Sequence, residues 1–208
     1  MVAGSTWPAD EAVLLRAFAT LLQRRPDARL IVVPHEPTAE HLVRLEQRAM
    51  AAGLPAAVRL SAAAGPATLL LIDQVGVLAT LYGAGTMAYV GGGFGKAGLH
   101  SVLEPAAWSI PVVFGPRWRN SRDAALLLQA GGATALGPYR VSGAGDALQR
   151  QWEHWIADDR ARQAGGRLAR EVVERGVGAS ERSASLLAQL ISTRSLRKSP
   201  PGARSGRQ

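Results

Sequence analysis

Residues 86–108 read TMAYVGGGFGKAGLHSVLEPAAW, a short apolar run followed by a glycine-rich loop and a helix-like segment. We predict a strand over Thr86–Val90, a loop over Gly91–Gly95 and a helix over Val102–Trp108. The same alternation of buried strand and amphipathic helix extends from the N-terminus to residue 136. It is typical of a parallel sheet packed between helices. The sequence therefore predicts an α/β fold, a parallel sheet with helices on both faces.

The remaining elements follow from hydrophobic spacing and from Gly and Pro at the boundaries. Only Met1–Ala3 precede Gly4-Ser5-Thr6, which is short for a first strand, so we interpret the chain as a fragment that begins partway through a strand. Further strands are predicted at Leu30–Val33, Val58–Leu60, Thr68–Ile72, Val112–Phe114 and Ala133–Leu136. Helices are predicted at Asp10–Arg25, Thr38–Ala52 with Thr38 as its cap, Val77–Tyr82, Arg122–Ala130, Asp146–Ile156 and Asp159–Ile191.

Composition and charge exclude several classes of protein. The chain has no cysteine, which excludes disulfides and thiolate zinc sites, and its four histidines are scattered. No uncharged apolar run is long enough for a transmembrane helix. The net charge is +8, but the body up to Ile191 has 19 basic and 16 acidic residues. Five of the eight excess positive charges lie in a C-terminal tail without acidic residues, at Arg194, Arg197, Lys198, Arg204 and Arg207.

The tail at 192–208 is predicted to be disordered. Two interpretations of the tail are equally favoured, a solubilising end and a contact for anionic lipid. Both are preferred to a specific nucleic-acid site.

The glycine-rich loop is the strongest functional pattern. Its backbone N–H groups, together with the N-terminus of the next helix, favour binding of a phosphate at Gly92, Gly93, Phe94 and Gly95. The alternative explanation is a tight turn with close backbone packing. Gly93, Gly95 and Gly98 match G-x-G-x-x-G, but no acidic residue lies about twenty positions later, so a nicotinamide cofactor is disfavoured.

Other candidates lie beside predicted strand ends. His100 and Glu104 are four apart, so on a helix they would share a face, and Glu104 suits a ribose diol. Ser101 and Glu104 equally form a capping-box pattern, which would use the carboxylate on the backbone. Ser5 or Thr6 is expected to cap the first helix, and His35 is by default a solvated loop residue. Trp152 and Trp155 are expected to pack a helix.

Several motifs together resemble one family over residues 1–136. They are AGSTWPADE at 3–11, VPHE at 33–36, LY at 81–82, AYVGGGFG at 88–95, HSVLEP at 100–105 and PVVFGP at 111–116. They resemble the C-terminal domain of the 3-deoxy-D-manno-octulosonic acid (Kdo) transferases. Two positions depart from the family pattern: Ser101 stands where Asn is usual, and Thr86 where Asp is usual.

The resemblance implies one Rossmann-like half of a GT-B glycosyltransferase. Residues 1–140 would be the nucleotide-sugar-binding domain, 141–191 helices packed on it, and 192–208 the tail. This half would bind the donor CMP-Kdo as substrate, without a cofactor or metal. The family's N-terminal half holds the lipid A precursor acceptor site and the catalytic base, so no catalytic residue is assigned here. The implied donor-site residues are Ser5, Thr6, His35, Gly92, Gly93, Phe94, Gly95, His100, Ser101 and Glu104.

In that family the whole enzyme works in lipopolysaccharide biosynthesis as a peripheral protein at the cytoplasmic face of the inner membrane, and we expect this fragment to be soluble in the cytoplasm. Two other functions remain open. One is half of a GT-B transferase that uses a UDP-sugar, and the other is a non-catalytic, basic nucleotide-binding module.

Overall fold

The computed structural model of the chain describes residues 1–96, 98–137, 141–178 and Leu187. Residues Met1–Val173 form one compact unit, and Glu174–Gln208 form a second. The tail predicted at 192–208 lies outside the described residues, as do residues 179–186 and 188–191 of the helix predicted over Asp159–Ile191. Among the described helices, none has both the length and the apolar character needed to cross a membrane.

Seven parallel strands form one sheet, in the order β3-β4-β2-β1-β5-β6-β7. The strands are β1 (Val2–Thr6), β2 (Leu30–Pro34), β3 (Val58–Arg59), β4 (Leu69–Leu71), β5 (Ala88–Val90), β6 (Val112–Phe114) and β7 (Ala133–Ala135). The described helices are α1 (Pro8–Arg24), α2 (Ala39–Ala51), α3 (Leu78–Leu81), α4 (Leu103–Ala106), α5 (Arg122–Ala130), α6 (Val141–Ala157) and α7 (Asp159–Gly176). The predicted α/β class and parallel sheet are confirmed.

Both faces of the sheet are covered by helices because strand side chains alternate between the faces. In β6, Val113 packs into a cluster supplied by α1, α2 and α6. Val112 and Phe114 pack into a second cluster supplied by α4, α5 and α7. Trp152 and Trp155 of α6 are buried in the first cluster. Their predicted packing role is confirmed.

Several helices differ from their predicted bounds. The α1 helix begins at Pro8, two residues before Asp10, and α7 ends at Gly176 instead of continuing to Ile191. The α4 helix has four residues, Leu103–Ala106, instead of extending to Trp108. Pro105 lies in the first turn, where its missing N–H breaks no helical hydrogen bond, whereas Ser109 has a left-handed φ of 56°, so the chain has left helical geometry by that residue. The α6 helix begins at Val141, well before Asp146, although Gly is a poor helix former. Gly145 brings α6 close to α1, since a Cβ there would lie 2.8 Å from Cδ of Arg16.

The order of strands creates a crevice beside β1. This strand has five residues, as many as β2, and is paired on both sides. From β1 the chain builds β2, β4 and β3 to one side, and β5, β6 and β7 to the other. The loops that follow β1 and β5 therefore diverge, and such a point in a parallel sheet is where ligands bind.

Candidate functional site

Three aromatic rings meet at the carboxyl ends of β1, β2 and β5. The His35 ring stacks on Trp7 with 4.7 Å between centroids, and on His100 with 4.4 Å. The indole Nε1–H of Trp7 donates a hydrogen bond to Nε2 of His100 at 2.9 Å. The structure thus brings together two predicted histidines from loops that are distant in the sequence. It adds Trp7, which the sequence analysis did not select because a tryptophan next to a proline has no chemical signature of a site.

A buried carboxylate joins the glycine loop to the start of α1. Asp10 accepts hydrogen bonds from the backbone N–H of Trp7 at 3.0 Å, from that of Gly92 at 2.9 Å and from the Tyr89 hydroxyl at 2.8 Å. Burial, and then the charge of Asp10, raises the pKa of Tyr89 well above its ordinary value, so Tyr89 stays a neutral donor. The sequence analysis missed Asp10 because acidic residues are common in the first turn of a helix.

Close backbone packing accounts for the glycines of the loop. A Cβ on Gly91 would lie 2.1 Å from the carbonyl oxygen of Ser5, and one on Gly93 would lie 2.6 Å from the amide nitrogen of Gly115. Gly92 has φ +92°, and its Cβ would lie 2.0 Å from the carbonyl oxygen of Gly98. These obstacles are backbone atoms, which cannot turn aside. A tight turn with close backbone packing, which the sequence analysis gave as the alternative to phosphate binding, therefore explains why glycine is needed at Gly91, Gly92 and Gly93.

Only part of the loop's N–H groups remains for a ligand. The N–H of Gly92 binds Asp10, and that of Gly95 binds the carbonyl of Gly92 at 3.1 Å. The N–H groups of Gly93 and Phe94 have no acceptor among the residues that the structure describes. The predicted contribution of a helix N-terminus is absent from the described loop, because the next helix, α4, is one turn long and begins only at Leu103.

The expectation that Ser5 or Thr6 caps α1 is wrong. Trp7 is the N-cap residue, with Pro8 in the first turn, and the carboxylate of Asp10 satisfies the N–H of Trp7. Thr6 is fully buried, and its hydroxyl donates to Oε1 of Glu11 at 3.2 Å. That bond gives Thr6 a structural role.

Ser5 lies where β1 bulges towards the crevice. Its φ of 51° is left-handed, which is uncommon for a residue other than glycine, and the register between β1 and β2 shifts at this position. Ser5 lines a cavity of about 130 Å³ with His35 and the loop after β4, Gln74–Gly76. A larger cavity of about 570 Å³ lies elsewhere, between α1 and α2. The cavity at Ser5 and His35 adjoins the strand ends, so it forms one side of the candidate site, and the glycine loop and His100 lie outside its lining.

Ser101 and Glu104 do not form the predicted arrangements. Because α4 begins at Leu103, the spacing of His100 and Glu104 is not helical, and the two do not share a helix face. The capping box is also wrong: Val102 is the N-cap residue, and no side chain caps the helix. Both Ser101 and Glu104 are exposed, and neither side chain has a hydrogen bond to a described residue. The carboxylate of Glu104 is therefore available to a ligand.

A buried pair of ionisable side chains, Glu11 of α1 and His41 of α2, connects these two helices. Oε1 of Glu11 lies 2.7 Å from Nε2 of His41, while Nδ1 of His41 lies 3.0 Å from the carbonyl oxygen of Glu36. Burial raises the pKa of Glu11, and the nearby His41 opposes that rise. The pair thereby anchors the segment between β2 and α2, which carries His35.

The described residues contain no group of three or more His, Asp or Glu side chains that could hold a metal ion.

The chain is similar in sequence to several known proteins, although no protein-family profile matches it. Over 133 residues it is 32% identical to a 3-deoxy-D-manno-octulosonic acid transferase of Aquifex aeolicus, which covers 64% of the chain and 36% of that protein. Over 193 residues it is 28% identical to the protein of the same name from Haemophilus influenzae, covering 89% of the chain and 43% of that protein. The chain is a relative of the Kdo transferases.

Solved structures agree on the fold of this Kdo transferase relative. The C-terminal CMP-Kdo binding domain of WaaA from Acinetobacter baumannii superimposes with a TM-score of 0.70 at 23% identity, covering 83% of this chain and 87% of that one. The C-terminal domain of the glycosyl transferase LpcC from Francisella tularensis gives 0.62 at 14% identity, with 84% of each chain covered. The fold is therefore one half of a GT-B fold. The chain spans 36% of the length of the Aquifex aeolicus relative and 43% of that from Haemophilus influenzae.

Proposed function

We propose that this chain is the donor-binding half of a Kdo transferase and that it binds CMP-Kdo. The observation that carries the proposal is the convergence of three separate motifs at one crevice. Ser5 lies at the carboxyl end of β1, His35 follows β2, and the glycine loop with His100 follows β5. These are the motifs by which the chain resembles the family, and relatives of the same name match it in sequence.

The free groups of the crevice suit a nucleotide with a phosphate. The N–H groups of Gly93 and Phe94 and the ring of His100 can donate to phosphate oxygens, while the exposed carboxylate of Glu104 can accept from a ribose diol. When the glycosidic bond of the donor breaks, CMP leaves as an anion. Fixed donors stabilise such developing charge without having to reorganise.

We assign donor binding, not catalysis, to these residues. The whole enzyme would transfer Kdo to a lipid A precursor in lipopolysaccharide biosynthesis, as a peripheral protein at the cytoplasmic face of the inner membrane. The acceptor site and the base belong to the N-terminal half in the family that the chain resembles. Because the chain has no Asp-x-Asp pair to hold a divalent ion on a phosphate, we also propose that donor binding needs no metal.

Titration of the 208-residue chain with CMP and UDP tests the proposal. We expect CMP to raise the melting temperature and to bind with measurable heat, UDP to bind more weakly, and EDTA to leave CMP binding unchanged. A stronger response to UDP would favour a transferase for UDP-sugars. Salt-sensitive binding of nucleic acid without any response to CMP would overturn the proposal in favour of a basic interaction module.

A further inference from the structure

The contact between Trp7 and His100 restricts where the histidine can carry a proton. An indole N–H can only donate a hydrogen bond. Nε2 of His100, which receives that bond at 2.9 Å, must therefore present its lone pair and carry no hydrogen. A neutral imidazole has one N–H, so the proton of this ring lies on Nδ1.

We propose that Trp7 is a positioning residue that holds His100 as the neutral Nδ1–H tautomer, so that the ring offers one uncharged donor to an anionic ligand. No described residue accepts a hydrogen bond from Nδ1. The donor is thus left for a ligand at the carboxyl ends of the strands. The identity of that ligand rests on the proposed function, whereas the tautomer does not.

The surroundings of His100 also disfavour its charged form. Partial burial and the neighbouring His35 ring, stacked at 4.4 Å, lower the pKa of His100. The carboxylate of Asp10 in α1 acts in the opposite direction, since its negative charge raises the pKa of His100. Protonation at Nε2 would also replace an acceptor with a second donor opposite the indole N–H. The hydrogen bond and the environment therefore favour the same neutral state.

The tautomer has a consequence for ligand binding. With His100 held neutral, the charge of its ring does not change with pH near neutrality. Replacing Trp7 with Phe retains an aromatic ring beside His35 but removes the N–H donor. Nε2 then becomes free to accept a proton, so we expect the CMP affinity of the variant to rise relative to that of the original chain at the same pH as the solution is acidified through the pKa of His100. The comparison at each pH cancels the protonation of the CMP phosphate, whose second pKa is about 6.

Long-range ¹H–¹⁵N NMR spectra of histidine side chains in the full chain test the inference without any ligand. The His100 signals are assigned by comparison with His100→Gln. We expect the Nδ1–H pattern in the original chain, and in Trp7→Phe the appearance of an Nε2–H population with a higher His100 pKa. Trp108→Phe is the matched control, because Trp108 is half-exposed and donates its Nε1–H to the carbonyl of Ala79, not to a histidine. It should leave His100 unchanged.

The outcomes separate the inference from the proposed function. An Nε2–H or doubly protonated His100 in the original chain at neutral pH would overturn the inference, whatever CMP does. An Nδ1–H ring in a chain that does not bind CMP would support the inference and contradict the proposed function. If Trp7→Phe fails to fold, the spectrum of the original chain still decides the tautomer.

Discussion

Glu104 is an exposed residue in the first turn of α4, and its charge contributes to the raised pKa of the buried Tyr82 without a hydrogen bond between them. Replacing it with Ala should therefore leave the free energy of unfolding within about 0.5 kcal/mol of the original. If the carboxylate binds the ribose diol, CMP binding should weaken by roughly 1–3 kcal/mol, the range for a hydrogen bond to a charged group. Calorimetric titration and urea unfolding measure the two quantities.

The matched control is Glu171→Ala, which removes an exposed carboxylate from α7. Its CMP affinity should equal that of the original chain. An unchanged affinity in Glu104→Ala would show that Glu104 does not contact the nucleotide.

Residue types at strand ends predicted part of the site, because loop histidines and glycines next to a parallel sheet are recognisable in sequence. His35 and His100 lie together as the shared site requires. The pattern could not show which groups are already bonded within the protein. The Thr6 hydroxyl already donates a hydrogen bond to Glu11, and the N–H of Gly92 already donates one to Asp10. Both partners are acidic residues in the first turn of α1 and have several possible roles in sequence.

The loop between β5 and α4 depends on contacts that leave no room for a side chain. We expect Gly91→Ala to destabilise the chain by about 1–3 kcal/mol, the usual cost of overpacking, because its Cβ would lie 2.1 Å from a backbone carbonyl oxygen of Ser5. Gly65→Ala is the control, since nothing lies within 4 Å of a Cβ there. It should be neutral or stabilising by up to about 1 kcal/mol. Equal free energies of unfolding for the two variants would refute the packing explanation.

The link between α1 and α2 should make stability depend on pH. Burial raises the pKa of Glu11 above its ordinary value of 4.5, so the folded chain holds this proton more tightly than the unfolded chain. The contribution of Glu11 to stability is then greatest below pH 4.5 and is lost as the pH rises through the folded-state pKa. We expect the difference in unfolding free energy between the original chain and Glu11→Gln to fall as the pH is raised from 4.5.

Urea unfolding at a series of pH values measures that difference. Glu171→Gln, on the exposed face of α7, should show no such trend. A difference that grows with pH would mean that the attraction of His41 and Arg48 outweighs burial at Glu11.

At the level of the chain, we expect binding of the donor without transfer. The chain spans 36% of the length of the Aquifex aeolicus relative, and the residues at the crevice supply donors and one exposed carboxylate for a nucleotide. The assay incubates the chain with CMP-Kdo and a lipid A precursor, and uses the full-length Aquifex aeolicus protein as a positive control. CMP-Kdo should bind and remain intact. Formation of a Kdo-bearing lipid by the chain alone would contradict the assignment.

Local hydrophobic periodicity was sufficient for the class of fold. The bounds predicted for β6 and α5 are those observed, because a buried run of three apolar residues and an amphipathic helix between Ser121 and Gly131 are defined within a few positions. Capping by Thr38 was likewise predicted and is observed at His41 N–H, 3.2 Å away. The early end of the α4 helix was not predicted, since the left-handed turn at Ser109 that follows it is not apparent from the sequence.

The position of the crevice and its internal hydrogen bonds depended on the folded arrangement. Hydrophobic pattern does not reveal that β1 lies between β2 and β5, which is what brings His35 and His100 to the same edge. Trp7 reaches Nε2 of His100 across 93 positions of sequence, and Asp10 reaches Gly92 across 82. Side-chain hydrogen bonds act over about 3 Å in space, so residues far apart in sequence share them only after the sheet has assembled. The sequence by itself determined which residue types are present at the candidate site. The packing of the strands decided which of their polar groups are already hydrogen-bonded within the protein and which can bind a ligand.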